Sequence, residues 1–144
     1  MPTSSSTKTV LIVGASRGLG YAMAQEYLER GWNVVGTVRG QARTPLHDLA
    51  DRSGGQVEIE HIDINVPGEI AALRARLGGR TFDVLFMNSG VGGGDPGEAA
   101  GAASTEAFMK LMTTNALSPM RVIEALQDLV PPTSCASGGA PGPG

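Results

Sequence analysis

Residues 10–20, VLIVGASRGLG, run through four apolar side chains into a segment with three glycines in seven positions. Extended back to Thr9, the apolar run TVLIV over 9–13 reads as a buried strand. Behind the glycines, LGYAMAQEYLERG sets Leu19, Met23, Tyr27 and Leu28 at helical spacing, with Gly31 as the stop. A strand that turns directly into a helix is the first half of a βαβ unit. It commits the chain to parallel strands joined by right-handed crossovers.

The same rhythm continues. NVVGTV (33–38) reads as a second strand, and TPLHDLADRSGG (44–55) as a short helix with Pro45 in its first turn. VEIEHIDI (57–64) alternates like a strand with one face less buried, and VPGEIAALRARLGG (66–79) has the punctuation of a helix. FDVLFM (82–87) is nearly continuous in apolar residues, as expected of a strand covered on both faces. A Gly- and Ala-rich loop over 88–103 leads to Ser104, which can cap a long helix over 105–130. One face of that helix collects Phe108, Leu111, Met112, Asn115 and Ala116, and Pro119 predicts a bend or a one-turn irregularity near Asn115. The fold class expected is α/β, a Rossmann-type doubly wound parallel sheet that stops after about four strands. The domain is expected over 8–130, between a flexible N-terminus (1–7) and a disordered tail (131–144) in which eight of fourteen residues are Pro or Gly.

Charge and composition exclude several classes of function. A net charge of −3 with both signs interspersed argues against nucleic-acid or membrane-surface binding. No apolar run approaches the roughly 20 residues of a membrane span. The opening MPTSSSTK lacks a signal-peptide pattern, so a cytoplasmic location is expected. Cys135 is the single cysteine, and His47 and His61 stand apart without a cysteine set, so no metal site is expected.

The turn itself carries chemistry. Unpaired backbone N–H groups and the positive end of a helix dipole can hold a pyrophosphate where no side chain intrudes, hence Gly14, Gly18 and Gly20. Ser16 adds a hydroxyl donor. The spacing G-x-x-x-G-x-G is neither G-x-G-x-x-G nor a P-loop. A glycine-rich helix entry chosen only for close packing is the alternative. VGASRGLG resembles the nucleotide turn T-G-x-x-x-G-x-G of the short-chain dehydrogenase/reductase family, with Val13 in place of Thr. Three further motifs agree in order: HIDIN with Asp63, MNSG with Asn88 and Gly90 where the family has N-N-A-G, and TTNALSP with Asn115. The resemblance covers residues 8–130. It implies cofactor binding by Gly14, Ser16, Arg17, Gly18, Leu19, Gly20, Arg39, Asp63, Asn88 and Gly90. Asp63 would meet the adenine amine, unless it only caps the strand end. Asn115 stands at the family's catalytic position, where it shapes the helix and holds a water of the proton relay.

Charge selects the cofactor. Where NAD readers place a carboxylate after the second strand, this chain has GTVRG with Arg39, and Arg17 lies inside the glycine turn. Two guanidinium groups suit a 2′-phosphate, so NADP is expected ahead of NAD, the alternative being two solvated arginines.

The family's reaction, hydride transfer between the nicotinamide and a carbonyl or alcohol, needs a Ser and a Tyr-x-x-x-Lys. The two tyrosines, Tyr21 and Tyr27, are followed four residues on by Gln25 and Gly31 and read as packing residues. The missing groups belong on a fifth strand and helix, and the composition change near Pro131 is expected to mark a premature end or a reading-frame change. The chain as written is therefore expected to be inactive alone as an NADP-dependent oxidoreductase. A non-catalytic dinucleotide-binding or sensor protein and a truncated remnant are the alternatives. An apolar edge strand and the family's packing of the long helix between subunits imply self-association. No substrate follows beyond a small carbonyl or alcohol.

Overall fold

The computed structural model describes residues 7–88 and 104–131. Strands β1 (Thr9–Val13), β2 (Asn33–Val38), β3 (Val57–His61) and β4 (Val84–Met87) form one parallel sheet in the order β3-β2-β1-β4. Leu11 stands opposite Val35 on one side and Leu85 on the other, which fixes the register around the central strand. Helices α1 (Gly18–Glu29), α2 (Pro45–Asp51) and α3 (Pro67–Leu77) make the crossovers. After β4 come α4 (Thr105–Met112), one π-helical turn (Thr113–Leu117), α5 (Ser118–Leu126) and a 3-10 turn (Gln127–Leu129).

The period-2 geometry of a strand sends alternate side chains to opposite faces. Val10 and Ile12 join Val34, Val38, Ala24 of α1 and Leu46 and Leu49 of α2 in one core. Leu11 and Val13 join Val35, Ile70, Leu73 and Leu77 of α3 and Val122 and Leu126 of α5 in the other. Each fully buried Leu or Val contributes about 1.5–3 kcal/mol by leaving water. The two-sided core is the doubly wound α/β arrangement expected from the strand–helix alternation, and it leaves the C-terminal strand ends open for a ligand.

Several local expectations change. Leu19 belongs to the helical periodicity but not to the core: it is 62% exposed, because the first turn of α1 projects beyond the sheet. Helix α2 ends at Asp51, and the Ser53 hydroxyl then donates to the Ala50 carbonyl and accepts from the Val57 N–H, steering the chain into β3. Strand β3 ends at His61 rather than 64, since the Asp63 carboxylate accepts the Asn65 N–H at 2.9 Å and turns the chain. The β4 side chains are half-buried rather than covered on both faces, because β4 is the outer strand of the described sheet. Along 105–130 the irregularity lies where Pro119 predicts it. Proline has no N–H for the carbonyl four residues back, and the Ser118 N–H donates five residues back, to Thr113. The expected apolar face of this helix is turned outward, with Phe108 53% and Met112 45% exposed; Thr114, Ser118, Val122 and Leu126 face inward instead.

Candidate functional site

Strand β1 ends beneath the glycine turn, and the neighbouring strands hold that turn in place. Thr37 of β2, buried, accepts the Gly14 N–H on its Oγ1 at 3.0 Å and the Ala15 N–H on its carbonyl at 2.9 Å. Asn88, just past β4, donates from Nδ2 to the Gly14 carbonyl at 3.2 Å, and its own N–H donates to Val13 at 2.8 Å. All three glycines are required by geometry, Gly14 by its φ of +93°. Gly18 has φ +61°, a conformation that favours glycine, and a Cβ on Gly20 would lie 1.9 Å from the Gly14 carbonyl oxygen. Helix α1 therefore packs directly on the turn. Its N-cap, Arg17, is extended and supplies no side-chain hydrogen bond to the first turn. The N–H groups there point toward the open end of the sheet with the positive end of the helix dipole.

That end is a cleft of about 830 Å³. Gly14, Ser16, Arg17, Gly18 and Leu19 form its floor, and Thr37, Val38 and Arg39 extend it from the end of β2. Arg43, Thr44 and Pro45 bring in the entry to α2, Ile62 to Asn65 the loop after β3, Met87 and Asn88 the end of β4, and Thr114 the π turn. Its exposed charges near β2 are guanidinium groups. Arg43 is the most constrained: its Nη2 donates to Asp48 at 2.8 Å and it also pairs with Asp51, and these hydrogen bonds, Asp51 first, hold its pKa above the ordinary arginine value. Asp63 lines the cleft half-buried while its backbone N–H donates to Glu69 Oε1 at 2.8 Å. Its carboxylate thus shapes the turn at Asn65 and faces the cavity at once.

Of the residues singled out from the sequence, Gly14, Ser16, Arg17, Gly18, Leu19, Arg39, Asp63 and Asn88 line one cavity, with Gly20 packed directly beneath its floor. Gly90 lies outside the described residues. Asn115 sits in the π turn and is exposed, whereas its neighbour Thr114 lines the cleft. Thr37, Arg43, Asn65 and Thr114 were not singled out. The signal for Thr114 was available: it and Ser118 are small polar residues four apart on the face that continues as Val122 and Leu126. Thr37 carried no comparable mark. Tyr21 and Tyr27 pack against the α1/α2 core, as expected. Among the described residues no group of three or more His, Cys, Asp or Glu side chains could hold a metal ion, and no helix is long and apolar enough to cross a membrane.

This architecture and this cleft have counterparts. The family model for short chain dehydrogenases matches residues 8–137. A solved structure from Burkholderia multivorans, described as a short-chain dehydrogenase/reductase with bound NADP, is 57% identical with a TM-score of 0.84, over 88% of this chain and 55% of that one. A short-chain alcohol dehydrogenase from the same organism is 58% identical with a TM-score of 0.82, over 86% of this chain and 58% of that one. An NADP-dependent 3-hydroxy acid dehydrogenase of Escherichia coli (strain K12) is 31% identical over 108 residues, 74% of this chain and 42% of that protein. The chain spans about half the length of the curated relatives it matches.

Proposed function

The chain belongs to the short-chain dehydrogenase family, and from that premise we propose that its cleft takes a nicotinamide dinucleotide, NADP ahead of NAD. For the whole protein we infer hydride transfer between NADPH and a small carbonyl or alcohol, the hydride being what the nicotinamide supplies when bound. The observation that carries this reading is the bare glycine turn, held by Thr37 and Asn88, opening onto a cleft rimmed by guanidinium groups. The fit is physical: a Cβ at Gly20 has no room, and no side chain caps the first turn of α1 among the described residues.

The residues divide the work. The turn from Gly14 to Gly20, with the Ser16 hydroxyl, binds pyrophosphate through N–H groups that need no reorganisation. Arg17 and Arg39 hold a 2′-phosphate, and the absence of a carboxylate at the end of β2 disfavours a bare ribose hydroxyl there. Asp63 meets the adenine amine while braced by Asn65 and Glu69. Asn88 backs the turn, Gly90 follows it by resemblance, and Asn115 takes the proton-relay position of the family. The NADP bound in the Burkholderia multivorans structure supports this choice of cofactor.

One observation favours binding without turnover by these residues alone. Both tyrosines are held in core packing, and neither is followed by a lysine four residues on. Fluorescence titration with NADPH, followed by addition of a carbonyl substrate series, separates the readings. Saturable binding with carbonyl-dependent oxidation supports the enzyme, binding without oxidation the binding protein, and no binding overturns both. We further propose that the outward apolar side chains Phe108, Met109, Met112 and Met120 cover one another between two copies of the chain.

A further inference from the structure

Asn65 makes two side-chain hydrogen bonds across a long sequence separation. Its Nδ2 donates to Thr114 Oγ1 at 2.9 Å, and its Oδ1 accepts from Ser118 Oγ at 2.7 Å. Thr114 lies inside the π turn and Ser118 opens α5; they are 5% and 0% exposed. Two buried hydroxyls one turn apart need partners, and a side chain offering one donor and one acceptor satisfies both. Asn65 is itself anchored. Its N–H donates to the Asp63 carboxylate, the Asp63 N–H donates to Glu69, and the flanking Ile62 and Ile64 are buried. One connected set of hydrogen bonds therefore runs from the loop carrying Asp63 to the turn carrying Asn115.

We propose that Asn65 is a positioning residue that fixes the π turn at Thr113–Leu117, and with it the placement of Asn115, from the adenosine side of the cleft. A π turn is intrinsically less favourable than continued α-helix and persists where its surroundings hold it. Pro119 removes one α-helical bond but does not select which way the turn opens. The pair of bonds from Asn65 ties Thr114, inside the turn, to Ser118, where α5 resumes, and so holds the observed opening against rearrangement. The value of this arrangement for hydride transfer rests on the proposed function. The mechanical claim does not.

Hydrogen exchange, read by mass spectrometry on the full chain, tests it without a ligand. In Asn65→Ala the amides of residues 113–118 should exchange at least about tenfold faster than in the unaltered chain, while those of β1 and β2 keep their protection. Asn65→Asp, whose carboxylate can accept from both hydroxyls, should restore most of the protection. Ser118→Ala and Thr114→Val each remove one bond and should give intermediate acceleration, which decides the matter if Asn65→Ala does not fold. The proposal is overturned if exchange at 113–118 is unchanged in these variants, if acceleration is uniform across β1 and β2, or if Asn65→Asp behaves as Asn65→Ala. Failure of NADPH to bind would remove the proposed function and leave this result standing.

Discussion

Strands β1 and β4 lie side by side and treat equally apolar sequences differently. Val10, Leu11, Ile12 and Val13 are entirely buried, whereas Val84, Leu85, Phe86 and Met87 remain half-buried. The contrast extends to the helices that follow. Helix α1 buries small residues, Gly20 and Ala24, against the sheet, while α4 and α5 leave Phe108, Met109 and Met120 more than half exposed. On the glycine-turn side the sheet is thus covered by its own helices. The β4–α4–α5 side presents apolar surface that its own described residues do not cover, the kind of surface that marks an interaction face.

Substitutions on the two sides should have opposite orders of effect. The largest effect is expected from Gly20→Ala, whose new Cβ would collide with the Gly14 backbone. NADPH affinity should fall by more than about 100-fold, and overpacking should cost at least about 1–3 kcal/mol of stability. Calorimetric titration and thermal melting read both. Thr37→Val is next: it leaves the half-buried Gly14 N–H without its acceptor. A loss of about 1–3 kcal/mol in denaturant unfolding is expected, with a smaller, few-fold weakening of NADPH binding.

On the other side the order of effects should reverse, with assembly moving more than stability. Phe108→Ser combined with Met120→Ser should shift light-scattering mass toward the monomer while changing unfolding free energy by no more than about 0.5 kcal/mol. The smallest effect concerns Asp128, which bonds Arg74 through both oxygens at 2.5 and 2.9 Å. The hydrogen bond from Arg74 lowers the Asp128 pKa below its ordinary 3.8. A carboxyl with a depressed folded pKa contributes stability that is complete above the unfolded value and is lost as pH falls through the lower folded value. The melting difference between Asp128→Asn and the unaltered chain should therefore be small at neutral pH, the pair being exposed, and should vanish in acid.

What was legible in the sequence follows the same division. All four strands, the glycine turn, the Ser104 cap and the irregularity near Asn115 were readable because each depends on local chemistry: apolar alternation, bare backbone, a hydroxyl at a helix start, a proline without an N–H. The contacts that complete the site depend on residues far apart in the chain. Thr37 reaches Gly14 across 23 residues, and Asn65 reaches Thr114 and Ser118 across 49 and 53. Leu19 shows the limit from the other direction. Its spacing is that of a packing residue, yet its place at the tip of α1 puts it in the cleft. Periodicity identifies a helix face but not how far the helix overhangs the sheet.

The end of β2 is proposed to read a 2′-phosphate. Isothermal titration of the chain and of Arg39→Ala with NADP and with NAD tests it most directly. The unaltered chain is expected to bind NADP at least about tenfold more tightly than NAD, and Arg39→Ala to lose about 10- to 100-fold in NADP affinity with NAD binding unchanged. Equal or tighter binding of NAD, or an Arg39→Ala variant that loses both cofactors alike, would contradict it.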